Sequence, residues 1–304
     1  MLMSPEIVIT PTNGSHRSFG LDLARAIAIS LVLASHFGHN LFDSLGFWGV
    51  ELFFALSGFL IGQILWRNFS QTSNWTGTHV MNFWRRRWWR TLPNYYLFFA
   101  VLLVLHYVDQ GKIPAISELS RFLWFGQYLF KNDYGFYSQS WSLCIEEWFY
   151  LMFPVMLFLL NKIISKKETA FVFTLIIFFI IIALVRTNLM NHNDIQSLRR
   201  ITFARLDAIA CGVAIAYWEL VVKPSIKIKL ISYSFGIAIL FISLYSFYMT
   251  KDNILKNNLI LFTTPLSFAL SLPIISLWKI SKQRFKFIAS VVENISLWSY
   301  SIYL

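Results

Sequence analysis

The sequence predicts an all-α fold, a polytopic transmembrane helical bundle of about ten helices with the last one incomplete. Three observations predict it. Hydrophobic residues make up 57% of the 304 and charged residues 13%, well below the roughly 25% charged content of a soluble domain. The apolar residues gather into runs long enough to cross roughly 30 Å of hydrocarbon. The lysines and arginines behind the net charge of +11 sit in short segments between those runs, as membrane orientation signals do. That placement excludes nucleic acid as a partner.

Residues 1–19 are polar, with Pro5, Pro11 and Gly14, and lack the apolar core of a cleaved signal peptide. They read as a cytoplasmic tail ahead of one membrane domain, 20–304. Candidate spans follow at 20–38, 46–66, 91–108, 140–160, 170–186, 203–221, 230–249 and 258–278. Residues 119–130 are apolar but short. If they crossed, the loops carrying Lys162, Lys166 and Lys167, then Lys223, Lys227 and Lys229, then Lys279, Lys282, Arg284 and Lys286 would fall outside, against the positive-inside bias. A re-entrant or interfacial piece puts those loops inside together with the N-terminus and the cluster Arg85-Arg-Arg-Trp-Trp-Arg90. Arg186, Arg199 and Arg200 then stand against the bias. Residues Ile295 to Leu304 open one more helix that stops after about 15 Å of rise, as a C-terminally truncated domain would. Cys144 and Cys211 lie in apolar runs and read as small buried hydrophobes.

Within the first span Arg25 and His36 are eleven residues apart, which at 3.6 residues per turn puts them within about 20° of one face and roughly 16 Å apart along it. One span thus presents a cation and a titratable base on one side, an expensive arrangement in lipid unless that side faces something polar. In the second span, small residues at Ser57, Gly58 and Gly62 permit close approach of another helix. No G-x-S-x-G elbow marks Ser57 as a nucleophile. Arg86, Arg87 and Arg90, opening the third span, gather guanidinium forks on one side, suited either to phosphate on a ligand or to anionic lipid. Glu146 and Glu147 point about 100° apart on a helix, so only one of them faces a given partner. One pairs with an arginine such as Arg205, or one orients His36 for proton transfer. Arg205 and Asp207, two apart, do not face each other and each needs a partner elsewhere. No histidine spacing of the H-x-x-x-H kind occurs, so no metal is expected.

Taken together, Arg25 with His36, Phe53-Phe54-x-Leu56-Ser57-Gly58-Phe59, Arg86-Arg87-x-x-Arg90-x-x-Pro93-x-Tyr95, Trp141-Ser142-Leu143-x-x-Glu146-x-x-Phe149-Tyr150, Arg205-x-Asp207-Ala208-x-x-x-Gly212 and Ser299-Tyr300-Ser301-x-Tyr303-Leu304 resemble the acyltransferase 3 family of integral membrane proteins. The motifs run in family order from residue 20 to the last residue. The resemblance implies O-acylation, usually O-acetylation, of a carbohydrate or glycolipid acceptor at the cell surface, such as lipopolysaccharide, peptidoglycan or exopolysaccharide. It also implies acetyl-CoA as donor and a bacterial inner-membrane location, with membrane lipid as the surrounding partner. In the family the last motif is commonly followed by a histidine, before which this sequence stops.

On that resemblance Arg86, Arg87 and Arg90, with Arg25, hold the donor's phosphates. His36 acts as general base or accepts the acyl group, Glu146 orients it, and Arg205, Asp207, Trp141 and Ser142 line the acceptor side. A transporter or flippase of a glycan or lipid would also need charges facing a polar path, and a lipid-binding scaffold would need the arginines alone.

Overall fold

The computed structural model describes residues 18–38, 42–130, 136–190, 195–250, 254–280 and 285–304, and among them eleven helices and no strand. Seven helices are long and apolar enough to cross a membrane, and the chain is an integral membrane protein.

Helix α1 (Phe19–Phe37) is capped by Ser18, whose hydroxyl accepts from the Leu21 N–H, and carries Asp22 in its first turn, where the helix dipole favours a carboxylate. Helix α2 (Leu45–Gln71) is the centre of the bundle, with buried residues on every side. It crosses α8 (Leu206–Val222) at backbone contact. A Cβ added to Gly58 would meet the Ile209 carbonyl, and one added to Gly62 would stand 2.8 Å from the Val213 Cα. The small residues are therefore what lets α8 lie against α2, as the spacing predicts.

Helix α3 (Gly77–Gln110) is longer than its apolar core, 91–108, suggests. Thr76 and His79 form a capping box, and Gly111, at φ 68°, closes the far end in the left-handed conformation. The arginine cluster thus lies inside a continuous helix rather than at its start; its charges and tryptophans hide the extra turns from an apolar window. Helix α4 (Ile116–Leu123), about 12 Å long, does not cross. Its end is tied down by Tyr95 and Tyr96 of α3, whose hydroxyls donate to the Phe122 and Leu123 carbonyls. Helix α5 (Trp141–Ile163) opens on the cavity that Leu102 of α3 also lines, and its later residues Glu147 and Tyr150 meet Thr91 and Arg87, so α5 runs back along α3.

Helices α6 (Lys167–Met190), α9 (Ile226–Met249) and α10 (Ile254–Ile275) complete the wall around α2 and α8, with the short α7 (Ile195–Leu198) between α6 and α8. Successive long helices alternate in direction. Hydrogen bonds from Ser18 to the Ser276 carbonyl, and from Lys167 to the carbonyls of Ser70 and Thr72, link helix ends on the side of the arginine cluster. One from Tyr248 to Ser44 does so at the other side. The lysines at 162, 166, 167, 223, 227, 229 and 279 accordingly share the end that holds Arg85 and Arg86. Helix α11 (Lys286–Tyr303) starts nine residues earlier than an apolar run beginning at Ile295 predicts. Glu293 and Asn294 interrupt the run but not the face formed by Ala289, Val292, Ser296 and Ser299, which is buried. Its 18 residues rise about 27 Å.

Two buried ion pairs cross-link the bundle. Arg205, at the start of α8, donates to Glu51 of α2 and to the Leu261 carbonyl of α10. Asp207 accepts from Arg186 of α6, which also donates to Asn258 at 2.7 Å. Arg205 and Asp207 do have separate partners, but Arg205 takes Glu51, not Glu146 or Glu147.

Candidate active site

Three adjoining cavities run along α2. The first, at the arginine end, is lined by Asn68, Gln71, Trp75, His79, Asn82, Arg86, Arg87 and Arg90. It shares Ile61, Ile64, Arg87 and Arg90 with a middle chamber, which Arg25, Ser57, Ser142, Glu146, Tyr300 and Tyr303 complete. The chamber shares Val50 and Tyr303 with a third cavity, at the histidine end, holding His36, Asp43, Gln139, Trp141, Arg199 and Arg200. The chamber is the smallest of the three, about 130 Å³, against about 470 and 440 Å³ for the cavities it adjoins. From Ile61 to Val50 the path follows about 16 Å of α2.

In the chamber Ser57 donates to Glu146 Oε1 at 2.6 Å and Tyr150 donates to Oε2 at 3.2 Å. Arg87 in turn donates to the Tyr150 hydroxyl at 2.7 Å, its guanidinium 4.3 Å from that ring's centroid. Arg25 donates to Ser296, which donates to Asp22 at 2.7 Å, so α11 holds the α1 arginine against the chamber. Ser142 donates to Tyr303 at 2.7 Å, and Tyr303 to the Gln139 carbonyl at 3.2 Å, which holds the tyrosine at the boundary between chamber and histidine end.

His36 is exposed in its cavity, with Nδ1 2.8 Å from the Val32 carbonyl. A carbonyl only accepts, so Nδ1 carries the proton and Nε2 of the neutral ring keeps its lone pair for proton or acyl transfer.

A family model described as an acyltransferase domain matches residues 18–304. The chain belongs to that family. Relatives include the O-acetyltransferase OatA of Staphylococcus aureus (strain NCTC 8325 / PS 47), 30% identical over 172 residues, which are 52% of this chain and 28% of the relative. YrhL of Bacillus subtilis (strain 168), named for peptidoglycan O-acetylation, is 36% identical over 152 residues, 45% of this chain and 23% of the relative. The chain spans well under half the length of these relatives. No solved structure matches it.

In this acyltransferase-family chain Arg25 and His36 do share a side of α1, lining adjoining cavities rather than one. Arg86, Arg87 and Arg90 meet around the arginine-end cavity, and Trp141 and Ser142 fall at the histidine end and the chamber. Two expectations need correction. Glu146 is not placed against His36: it lines the chamber, and no hydrogen bond or ion pair among the described residues joins the two. Arg205 and Asp207 line none of the three cavities, because each is buried in an ion pair. Glu147, as the angular argument requires, points elsewhere and accepts from Thr91 of α3 at 2.9 Å.

Sequence reasoning missed Arg199 and Arg200 as site residues, although their conflict with the positive-inside bias was a usable signal. Asp43 and Gln139 carried no signal of their own, and Tyr303 entered only as part of the last motif. Ser57, discounted as a nucleophile for want of an elbow, is hydrogen-bonded to a carboxylate inside the path.

Proposed function

We propose that this chain transfers an acetyl group from acetyl-CoA, entering at the arginine end, to a carbohydrate hydroxyl waiting at the histidine end. One observation carries the proposal: three adjoining cavities that share lining residues run from three arginines, through the smallest chamber, to the imidazole of His36. The residues present fit the donor. Guanidinium forks suit its phosphates. The Trp75 N–H, buried without a hydrogen-bond partner among the described residues, and the amides of Asn68, Gln71 and Asn82 suit a polar heterocycle. Glu146, anchored by Ser57 and Tyr150, offers an acceptor to the amide N–H groups of an arm threading the chamber.

Acetyl-CoA supplies an activated thioester. His36 Nε2 removes the proton of the acceptor hydroxyl as its oxygen bonds to the acetyl carbon, and returns that proton to the departing thiolate. Alternatively Nε2 first takes the acetyl group itself and passes it to the hydroxyl. Either way one C–S bond is exchanged for one C–O bond. Arg205 and Asp207 act as braces, not as substrate contacts. The arginine end is assigned to the cytoplasm of a bacterial inner membrane, because it also carries the loop lysines and the N-terminal end of α1. The acceptor is assigned to an envelope polymer, in line with the polymer for which YrhL is named.

The test is transfer of labelled acetyl from acetyl-CoA in membranes holding the chain, followed by identification of the labelled sugar. Base-removable acetate on a glycan is expected. His36→Ala should lower transfer at least about 100-fold with protein abundance unchanged. Near-normal transfer by that variant would remove the histidine from the mechanism, and glycan moved across the membrane but chemically unaltered would mean a transporter.

A further inference from the structure

We propose that Arg199, together with Arg200, forms an oxyanion subsite in the histidine-end cavity, so that the preferred acceptor is a glycan bearing a carboxylate or phosphate near the hydroxyl that is acylated. The inference rests on the acetyl-transfer reading for what happens at His36, but the subsite stands on its own observations.

First, the two arginines share one cavity with His36, so a group bound to them lies beside the catalytic imidazole. Second, they occupy the wrong end for orientation. The loop lysines collect at the opposite end, and an arginine pair here needs a reason other than membrane topology.

Third, Arg199 is partly buried, and the carboxylate that acts on it is paired elsewhere. That carboxylate, Glu51, is already committed to Arg205. Among the described residues Arg199 makes no ion pair, its side-chain hydrogen bond to Gln196 is long at 3.3 Å, and its Nε is buried with no partner. Burial, and then the neighbouring Arg205 and Arg200 working against Glu51, push its pKa down to about 10, the direction expected of a guanidinium that lacks an anion.

Fourth, the side chain is held in place. Its guanidinium lies 5.1 Å from the Phe47 ring centroid and 5.2 Å from that of Trp141, which fixes the group between two faces while leaving its N–H edges for a planar oxyanion. Asp43, on the same cavity, is exposed and disfavours an anion at that position, which narrows the oxyanion's place to the arginine side.

Binding to the purified full chain in detergent, without acetyl-CoA, tests this. Three probes are compared with one another: a hexuronic-acid-containing tetrasaccharide, the same tetrasaccharide with its carboxyl groups reduced to alcohols, and a polyprenyl-phosphate-linked disaccharide. At least one charged probe should bind about tenfold tighter than the reduced one, an advantage that falls as salt is added. The probe that shows it tells whether carboxylate or phosphate is the natural group. Arg199→Gln should bring the advantage within about twofold.

Equal affinity of the unaltered chain for all three probes overturns the subsite whether or not Arg199→Gln folds, as does an advantage that survives in a folded Arg199→Gln protein. Charge-dependent binding in a chain that never transfers acetyl would instead retain the subsite and sink the acetyl-transfer reading.

Discussion

His36 and Glu146 stand in different cavities, and that separation assigns them different work. His36 offers a lone pair beside the acceptor, whereas Glu146 offers an acceptor of hydrogen bonds within the chamber. The two should therefore fail differently. Glu146→Ala is expected to raise the KM for the donor several-fold with a smaller effect on kcat, while His36→Ala lowers kcat. Steady-state kinetics with varied acetyl-CoA separates them, and an equal collapse of kcat in both variants would restore the pairing that the geometry denies. A second residue-scale expectation concerns Glu51, which is fully buried against Arg205. Glu51→Ala leaves that guanidinium stranded, and a loss of about 3–5 kcal/mol follows. Thermal unfolding in detergent measures it. Glu51→Gln, which keeps a hydrogen-bond acceptor, should lose less.

At the scale of elements, α2 is both the wall of the path and the core of the bundle, and one spacing serves both. Ser57 faces the chamber while Gly58 and Gly62 face α8, neighbouring residues on a helix pointing about 100° apart. Gly58→Val would push α8 away, since its side chain lands on the Ile209 carbonyl. Yield and melting temperature should both drop, whereas Ser57→Ala, on the open side, should leave the melting temperature within a few degrees. Helices α3 and α11 extend beyond their apolar stretches for a related reason. Where one side faces protein, polar residues such as Arg86 or Glu293 do not end a helix, and a hydropathy window averages over sides that the fold keeps distinct.

For the whole molecule, the alternation of helix directions and the failure of α4 to cross put the lysine-bearing loops and the arginine cavity at one end, His36 and Arg199 at the other. Single cysteines test this. Both native cysteines are buried and should stay silent to an impermeant maleimide. Lys166→Cys should react only from the cytoplasmic side and Asp43→Cys only from outside. Reaction of both from one side would mean that the path does not cross the membrane.

Much was legible in one dimension. Whether a run of residues enters the membrane depends on its own transfer free energy, so composition and run length determined the all-helical class and most of the spans, while for the short run 119–130 only the charge of the loops favoured re-entry over crossing. Helical spacing alone brought Arg25 and His36 to one side, turned Glu146 away from Glu147, and marked Gly58 and Gly62 for close packing. Pairing between distant segments is another matter. Arg205 finding Glu51, Arg186 finding Asp207, Glu146 meeting Ser57 rather than His36, and Arg199 seated between Phe47 and Trp141 were decided only by the tertiary structure. A buried charge takes the partner that the packed helices place beside it, and a helix's neighbours are set by the shape of the whole bundle, which no local stretch encodes.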